Sequence, residues 1–584
     1  MTPLLKVRNL SVSFVTDTHR INAVRNVSFD IAPGEKLGFV GESGSGKTTT
    51  ALALMGLVPN PGRVTNGIAR LDDLDLFALS CEDMKAERLR TISYIPQGAM
   101  NSLNPVQKIR DSVLDGMEDH GVRMGRGERR AVVGELMERA GLPRDAGAQY
   151  PHELSGGMKQ RACIAIAVAL RPKLLIADEP TSALDVITQR RVMQTLERVQ
   201  GELGSGLILI GHDMGLMAQF VDRLLVMREG RIVEVGSTRQ VFKTPRAAYT
   251  QELITSVPAM PVRQSVEPGR DGEGPGHIED DDALLSLENA SKTYRRGFFK
   301  KDVVALKPVS LRFSRSNPKI IAMVGQSGSG KSACGNLMLG FQKPTTGRIM
   351  FGGRDVATMN RHEKSDFRRQ VQAVFQDPYA SFNPFYTIDH AFTVPLRRFG
   401  IAANRAEAYD IMADALQRVG LEPGATFGSH AHQLSGGQRQ RIMVARAVAL
   451  RPKFIVADEP VSMVDASLRA TILENIRQLR DDLNISVFYI THDLATAHRS
   501  SDGVIVLRRG RIVEAGLPDE VICDPKHPYT VQLVESIPSP DPDQTWARVS
   551  EPREIQKGAD ANSLVRTVIR SRIPGFSVCP GTAA

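Results

Sequence analysis

The chain has 584 residues, 42% of them hydrophobic and 24% charged, the balance of an ordinary soluble globular protein with room for several cores. Its net charge of +9 is scattered rather than gathered in basic blocks, so no nucleic-acid partner is expected. No apolar run reaches the ~18 to 20 residues of a membrane-spanning helix, and the opening MTPLLKVRNLSVSF lacks the features of a signal peptide, so a cytoplasmic protein is expected. Cys81, Cys163, Cys334, Cys523 and Cys579 lie far apart without a CxxC pair, and they read as reduced thiols rather than a disulfide framework or a metal cluster.

Along the chain, short apolar runs such as KLGFVG, TISYIPQ, KLLIAD and GLILIGHD alternate with helical patterns, which predicts an α/β core around a mostly parallel sheet. The first run leads into GESGSGKT, Gly41–Thr48, a G-x-x-x-x-G-K-[ST] loop between a strand and a helix. Glycines there let backbone N–H groups wrap a phosphate, and the helix N-terminus adds positive potential. Lys47 is expected to reach the outer phosphates and Thr48 to ligate Mg²⁺. Gln97 ends the next strand, followed by a stretch of three- and four-residue apolar spacing, about 98–154, that predicts a helical insertion. Ser155-Gly156-Gly157 then offers a hydroxyl, exposed N–H groups and a second helix N-terminus, a further phosphate-binding surface. LLIADEP brings Asp178, expected at the Mg²⁺ shell, and Glu179, placed to orient and deprotonate water. His212 of GHD follows another apolar strand and is expected to contact the γ-phosphate.

The same series is then repeated. GQSGSGKS, Gly325–Ser332, sets Lys331 284 residues after Lys47, Gln376 follows Gln97 by 279, and Ser435, Asp458 and His492 each follow their counterparts by 280. Offsets so constant indicate duplicated domains of about 250 residues, too long a period for a solenoid. The expected organisation is a first domain at 1–256, a linker at 257–283, a second domain at 284–540 with its insertion at about 377–434, and a tail at 541–584. The linker is rich in Pro, Gly and acid, and both it and the polar tail from about Ser539 read as spacers.

Together GESGSGKT and GQSGSGKS, LSGGM and LSGGQ, LLIADEP and FIVADEP, GHD and THD resemble the ATP-binding cassette superfamily over nearly the whole chain. The resemblance implies two tandem P-loop NTPase domains, each a RecA-like core with an antiparallel β subdomain and a helical subdomain. It implies ATP and Mg²⁺ as ligands, with two ATP molecules sandwiched head to tail. Nucleotide binding would involve Gly41, Ser43, Gly44, Ser45, Gly46, Lys47, Thr48, Thr49 and Gln97, and Gly325, Ser327, Gly328, Ser329, Gly330, Lys331, Ser332 and Gln376. Lys47, Asp178, Glu179 and His212 would face Ser435 and Gly437; Lys331, Asp458, Glu459 and His492 would face Ser155 and Gly157, with Gly156 and Gly436 also among the nucleotide-binding residues. Glu179, His212, Glu459 and His492 would be catalytic, and Thr48, Gln97, Asp178, Ser332, Gln376 and Asp458 would surround the metal. Phe14 in LSVSF and Tyr294 in ASKTY stand where the family stacks adenine. The first signature departs from the family in having Met158 where Gln is usual, and the segments after the acidic strands differ, SALD ending at Asp185 and SMVD at Asp465.

Zinc modules and long coiled coils, typical of repair and chromosome members, are missing from the motif order. The translation factors of the superfamily also have two cassettes and no membrane span, so a soluble ribosomal ATPase is the alternative. They carry a longer, charged and helical linker, however, where this one is short, acidic and rich in Pro and Gly. The segments TPRAAYTQELITSVP and DPKHPYTVQLVESIP, with AMNSLNPV and YASFNPF after each glutamine, resemble the oligopeptide/dipeptide/nickel importer ATPases, here with two fused in one chain. That resemblance implies an ATPase at the cytoplasmic face of the inner membrane. Two permease subunits would dock at its helical insertions, and it would be served indirectly by a solute-binding protein. Cys523 and Cys579 alone cannot build an iron–sulfur centre.

Overall fold

A computed structural model describes residues 2–15, 20–98, 102–182, 184–256, 282–295, 302–461, 466–544, 546, 568–569 and 573–580. The expected linker, except its last two residues, lies outside them, as do most of the tail and Asp465. The chain divides into two compact units, Met1–Val257 with Ile537–Ala547, and Pro258–Ser536 with Arg548–Ala584.

In the first unit the main sheet has six strands, in the order Arg231–Ser237, Arg223–Arg228, Lys36–Val40, Gly206–Ile210, Leu174–Asp178 and Ile92–Ile95. All neighbours are parallel except the Arg231–Ser237 hairpin partner. Leu174–Asp178 and Gly206–Ile210 are buried at every position, which is why they read as unbroken apolar runs: helices cover both faces of a parallel sheet. A separate antiparallel sheet runs Arg20–Ile31, Leu5–Val15, Gly62–Leu71, Leu74–Asp75, and Leu5, Val7, Leu10 and Phe29 from it share a core with Leu37 and Phe39 of the main sheet. The expected insertion carries helices Ile109–Glu118 and Arg126–Arg139, whose Val113, Leu136 and Met137 pack with the signature helix Gly156–Ala167.

The second unit repeats the plan. Its main sheet runs Val371–Val374, Phe454–Asp458, Ser486–Thr491, Ile320–Val324, Gly503–Arg508, Arg511–Gly516 and Val568–Ile569. Phe313, from its antiparallel sheet, meets Phe454 edge-on at 4.8 Å, joining the two layers through aromatic contact. Helices Ile388–Arg398 and Arg405–Arg418 occupy its insertion. The tandem α/β domains expected from the motifs, each with an antiparallel β and a helical part, are therefore present.

The described parts of the tail differ from the spacer expected of it. Phe576–Pro580 forms a fifth, edge strand on the second unit's antiparallel sheet, paired with Val309–Phe313. In the first unit, Asp541 and Asp543 meet Lys243 at 2.8 and 3.4 Å, and Arg239 reaches Asp543 at 3.3 Å. Gln219 donates to the carbonyls of Ser539 and Asp541, and Trp546 packs on the first unit's core beneath Arg190. A polar, Pro-rich composition predicts a spacer because it cannot make its own core; here the core and the cations are supplied by a distant part of the chain.

Candidate functional site

Each phosphate loop is built by the backbone. Gly46 caps helix Lys47–Leu54 at φ 99°, and a Cβ there would lie 2.5 Å from the Ala23 carbonyl. Gly330 does the same for Lys331–Met338 at φ 107°, where a Cβ would lie 2.2 Å from Ala305 O. Only glycine suits a left-handed position pressed against another carbonyl. Ser43, Gly44, Ser327 and Gly328 are exposed at the loop tips, while Ser45 and Ser329 are buried beneath them, their carbonyls accepting from Gly230 and Gly510. Lys47 and Lys331 are buried and curl back: Lys47 Nζ donates to Gly41 O at 2.7 Å and Glu42 O at 2.8 Å, and Lys331 Nζ to Gly325 O at 2.6 Å and Gln326 O at 2.9 Å. Gly41 and Gly325 thus start each cradle and hold its lysine. Thr48 and Thr49 are half-buried on the first helix turn, and Ser332 is exposed on the second unit's.

The acidic strand ends converge on these loops. Asp178 is fully buried; its Oδ2 accepts from Tyr94 at 3.0 Å, whereas its Oδ1 has no hydrogen-bond partner among the described residues. Burial raises its pKa against hydrogen bonds from Thr48 and Tyr94, with the Glu179 carboxylate adding to the rise. Asp458 is raised in the same way, by burial and then Glu459, against a hydrogen bond from Ser332; Ser332 and Asp458 line one small pocket with Phe375. The Asp178 carboxylate, with one oxygen without a partner among the described residues, beside the Thr48 hydroxyl offers hard oxygen donors of the kind Mg²⁺ takes.

Glu179 and Glu459 have φ of 44° and 47°, a region non-glycine residues seldom adopt. The parallel sheet holds them there, since their N–H groups donate to Ile210 O at 2.9 Å and Ile490 O at 2.8 Å. Strain of this kind, of order 1–3 kcal/mol, is kept only where surrounding structure over-determines it, often at functional sites. Glu179 Oε1 faces His212 Nδ1 at 3.1 Å and its Oε2 accepts from Gln97 at 2.9 Å. Glu459 stands 3.0 Å from His492 Nδ1 and 2.7 Å from Gln376 Nε2. Burial pushes both glutamates up, but the hydrogen bond and charge of each histidine, with the loop lysine behind, hold them below the usual carboxylate value. Burial lowers His492, yet Glu459 more than offsets it and its pKa is raised.

The signature segments sit at helix N-termini, with Ser155 capping Gly156–Ala167 and Ser435 capping Gly436–Ala449. Gln438 completes the second cap: its N–H donates to Ser435 Oγ at 3.2 Å while its Oε1 accepts from Ser435 N at 2.8 Å. Met158 supplies only the first half of that exchange, at 3.4 Å to Ser155 Oγ. Gly157 is needed sterically, because a Cβ there would approach Thr188 Cγ2 to 2.1 Å. Tyr294 is 38% exposed, with its hydroxyl on Gln342 and Lys292 Nζ over its ring at 5.4 Å; Phe14 is half-buried against the β core.

Three residues escaped the motif reading. Tyr94 reaches Asp178, but the second unit has Ala373 at the matching strand position. Tyr249 and Tyr529 are buried, and their hydroxyls each accept a loop N–H, from Glu42 and Gln326, at 2.9 Å. Arg228 and Arg508 lie over their rings at 4.8 and 4.9 Å. The shared Tyr-Thr at an offset of 280 was the available signal, but the partner lies about 200 residues away.

Comparison with known proteins gives the family. The ABC transporter family matches residues 24–182 and 306–462, and the oligopeptide/dipeptide transporter C-terminal region matches 233–282 and 513–561. The chain is 37% identical over 566 residues to the glutathione import ATP-binding protein GsiA of Escherichia coli O157:H7, covering 92% of this chain and 90% of that one. Its identity to the protein of the same name from Salmonella choleraesuis strain SC-B67 is 38% over 569 residues, with the same coverage. The chain belongs to the ABC transporter family, as an ATP-binding subunit with two cassettes, each followed by the C-terminal region of the oligopeptide/dipeptide transporters.

Proposed function

We propose that the chain hydrolyses ATP at two composite sites, each made of one unit's lysine, Asp, Glu, His and Gln with the other unit's Ser-Gly-Gly, and so powers import of a short peptide. The observation that carries this is the pairing of Glu179 with His212 and Gln97, repeated by Glu459 with His492 and Gln376. Thr48, Asp178 and Gln97 would hold Mg²⁺ in the first site, and Ser332, Asp458 and Gln376 in the second. The ion neutralises phosphate charge when bound. Within each site Lys47 or Lys331 releases its loop carbonyls to take phosphate. Glu179 or Glu459, kept ionised by its histidine, orients water and accepts its proton. His212 and His492 position that carboxylate and meet the γ-phosphate. Gln97 and Gln376 stand between the glutamates and the insertions, a route by which nucleotide state reaches a docked partner.

Two permease subunits at the helical insertions would receive that motion and hold the chain at the cytoplasmic face of the inner membrane. Among the described residues no helix is long and apolar enough to cross a membrane. Tyr379, Phe385 and Tyr386 in the second insertion are 60%, 86% and 50% exposed, apolar surface suited to a partner. The relatives' name supports glutathione or a similar short peptide as the solute, delivered by a solute-binding protein.

The composite arrangement is tested by counting nucleotides occluded in a Glu179→Gln, Glu459→Gln background. Adding Lys47→Ala with Ser435→Arg should remove one nucleotide, because both changes strike one site. Lys47→Ala with Ser155→Arg should remove both. The reverse pattern would show that each unit closes on its own signature.

A further inference from the structure

The second unit carries a cluster of donor atoms outside the nucleotide site. His498 lies in the last turn of helix Leu494–Ser500, and Asp519 and Cys523 open and close a five-residue π-helical turn, Asp519–Cys523. His498 Nε2 is 2.7 Å from Asp519 Oδ1 and 3.6 Å from Cys523 Sγ, and the thiol is 4.0 Å from that carboxylate oxygen. Both side chains of this turn reach the same His498 nitrogen.

We propose that His498, Asp519 and Cys523 form a binding site for a borderline-soft divalent cation of the zinc class, with its fourth position open to water. An imidazole, a thiolate and a carboxylate are a donor set that zinc accepts and magnesium does not. Tetrahedral zinc with ordinary bond lengths separates a histidine nitrogen from a cysteine sulfur by about 3.6 Å, and the other pairs by about 3.3–3.6 Å. The His498–Cys523 distance already has that value, and the other two need shifts of about half an ångström, within reach of side-chain rotation. Asp519 is 71% exposed, so a cation has a path in and solvent can supply the last ligand. Burial and the Asp519 carboxylate push the Cys523 thiol up, so loading must release its proton.

The fold does not itself require these residues. At the matching positions 280 residues earlier the first unit has Ala218, Arg239 and Lys243, and there the two cations meet Asp541 and Asp543 instead. One surface therefore holds an acidic segment in one unit and three metal-type donors in the other. A cation bound there would tie helix Leu494–Ser500, which starts two residues after His492, to the turn leading into Tyr529 and its phosphate loop.

The test uses the full chain with Co²⁺ as spectroscopic probe and Mg²⁺ in excess to occupy the nucleotide sites. One cobalt should bind with a thiolate charge-transfer band in the near ultraviolet, and Zn²⁺ should displace it. Cys523→Ser should abolish the band and weaken binding by at least about tenfold, and His498→Ala should weaken it similarly. Cys81→Ser and Cys579→Ser should change neither. Retained ATP binding by Cys523→Ser will show that the variant is folded. Absence of the band in the unsubstituted chain, or a band that survives Cys523→Ser, would overturn the proposal.

Discussion

The hydroxyl of Tyr249 accepts the backbone N–H of Glu42 at 2.9 Å, and so anchors the rim of a phosphate loop from 207 residues away. Tyr529 does the same for Gln326. Each tyrosine stands at the start of a short helix in the C-terminal region of its cassette, which gives that region a direct hold on the nucleotide site.

Removing that hold should weaken nucleotide binding without unfolding the unit. Tyr249→Phe keeps the ring under Arg228 but leaves the Glu42 N–H without its acceptor, worth about 1 kcal/mol or a factor of about five. Titration of the full chain with ATP should show one of two sites weakened by that factor. Tyr529→Phe should weaken the other.

Glu179→Gln should lower hydrolysis at its site by about 10² to 10⁴ while ATP still binds, because the amide cannot accept water's proton. Glu459→Gln should do the same at the second site, and the double variant should be inactive. Unchanged turnover in either single variant, measured as phosphate release, would contradict the assigned role at that position.

The Glu459–His492 pair makes the nucleotide-free second unit dependent on pH in both directions. Glu459 is depressed below its ordinary 4.5, so its contribution is present above that value and lost as pH falls through the folded value. His492 is raised above 6.5, so its contribution is complete below 6.5 and lost as pH rises through the folded value. Thermal stability from this pair should therefore be greatest between about 4.5 and 6.5. In His492→Ala, Glu459 loses the partner that depresses it, and the plateau should disappear from the melting profile.

The two signature caps should differ in amide exchange. Ser435 N is held by Gln438, whereas Met158 offers Ser155 N no acceptor. Exchange at Ser155 should be the faster, Gln438→Met should raise Ser435 to the same rate, and Met158→Gln should slow Ser155. Each half of such an exchange is worth about 0.5–1 kcal/mol.

Trp546 is the chain's single tryptophan, so its fluorescence reports where the segment after the second cassette lies. A Cβ on Gly215 would come within 2.7 Å of the Pro538 carbonyl, a backbone atom. Gly215→Ala should therefore lift the segment and shift Trp546 emission to the red, with ATP binding unchanged. An unshifted spectrum would show that Trp546 takes no part in the first unit's core.

What could be read along the chain was chemistry set by local spacing. A Gly-rich loop before a helix, a carboxylate closing a buried strand and a Ser-Gly-Gly at a helix start each carry their function in a few consecutive residues, and their repetition marked two cassettes. Tertiary structure alone decided the rest, because those relationships depend on which distant segments the fold brings together. The left-handed backbone of Glu179 is imposed by the Ile210 carbonyl, and the acidic segment after Ser539 is seated by Lys243 and Arg239. Cys523, one of five scattered thiols in the sequence, gains a histidine and a carboxylate as neighbours only when a helix and a π turn pack together.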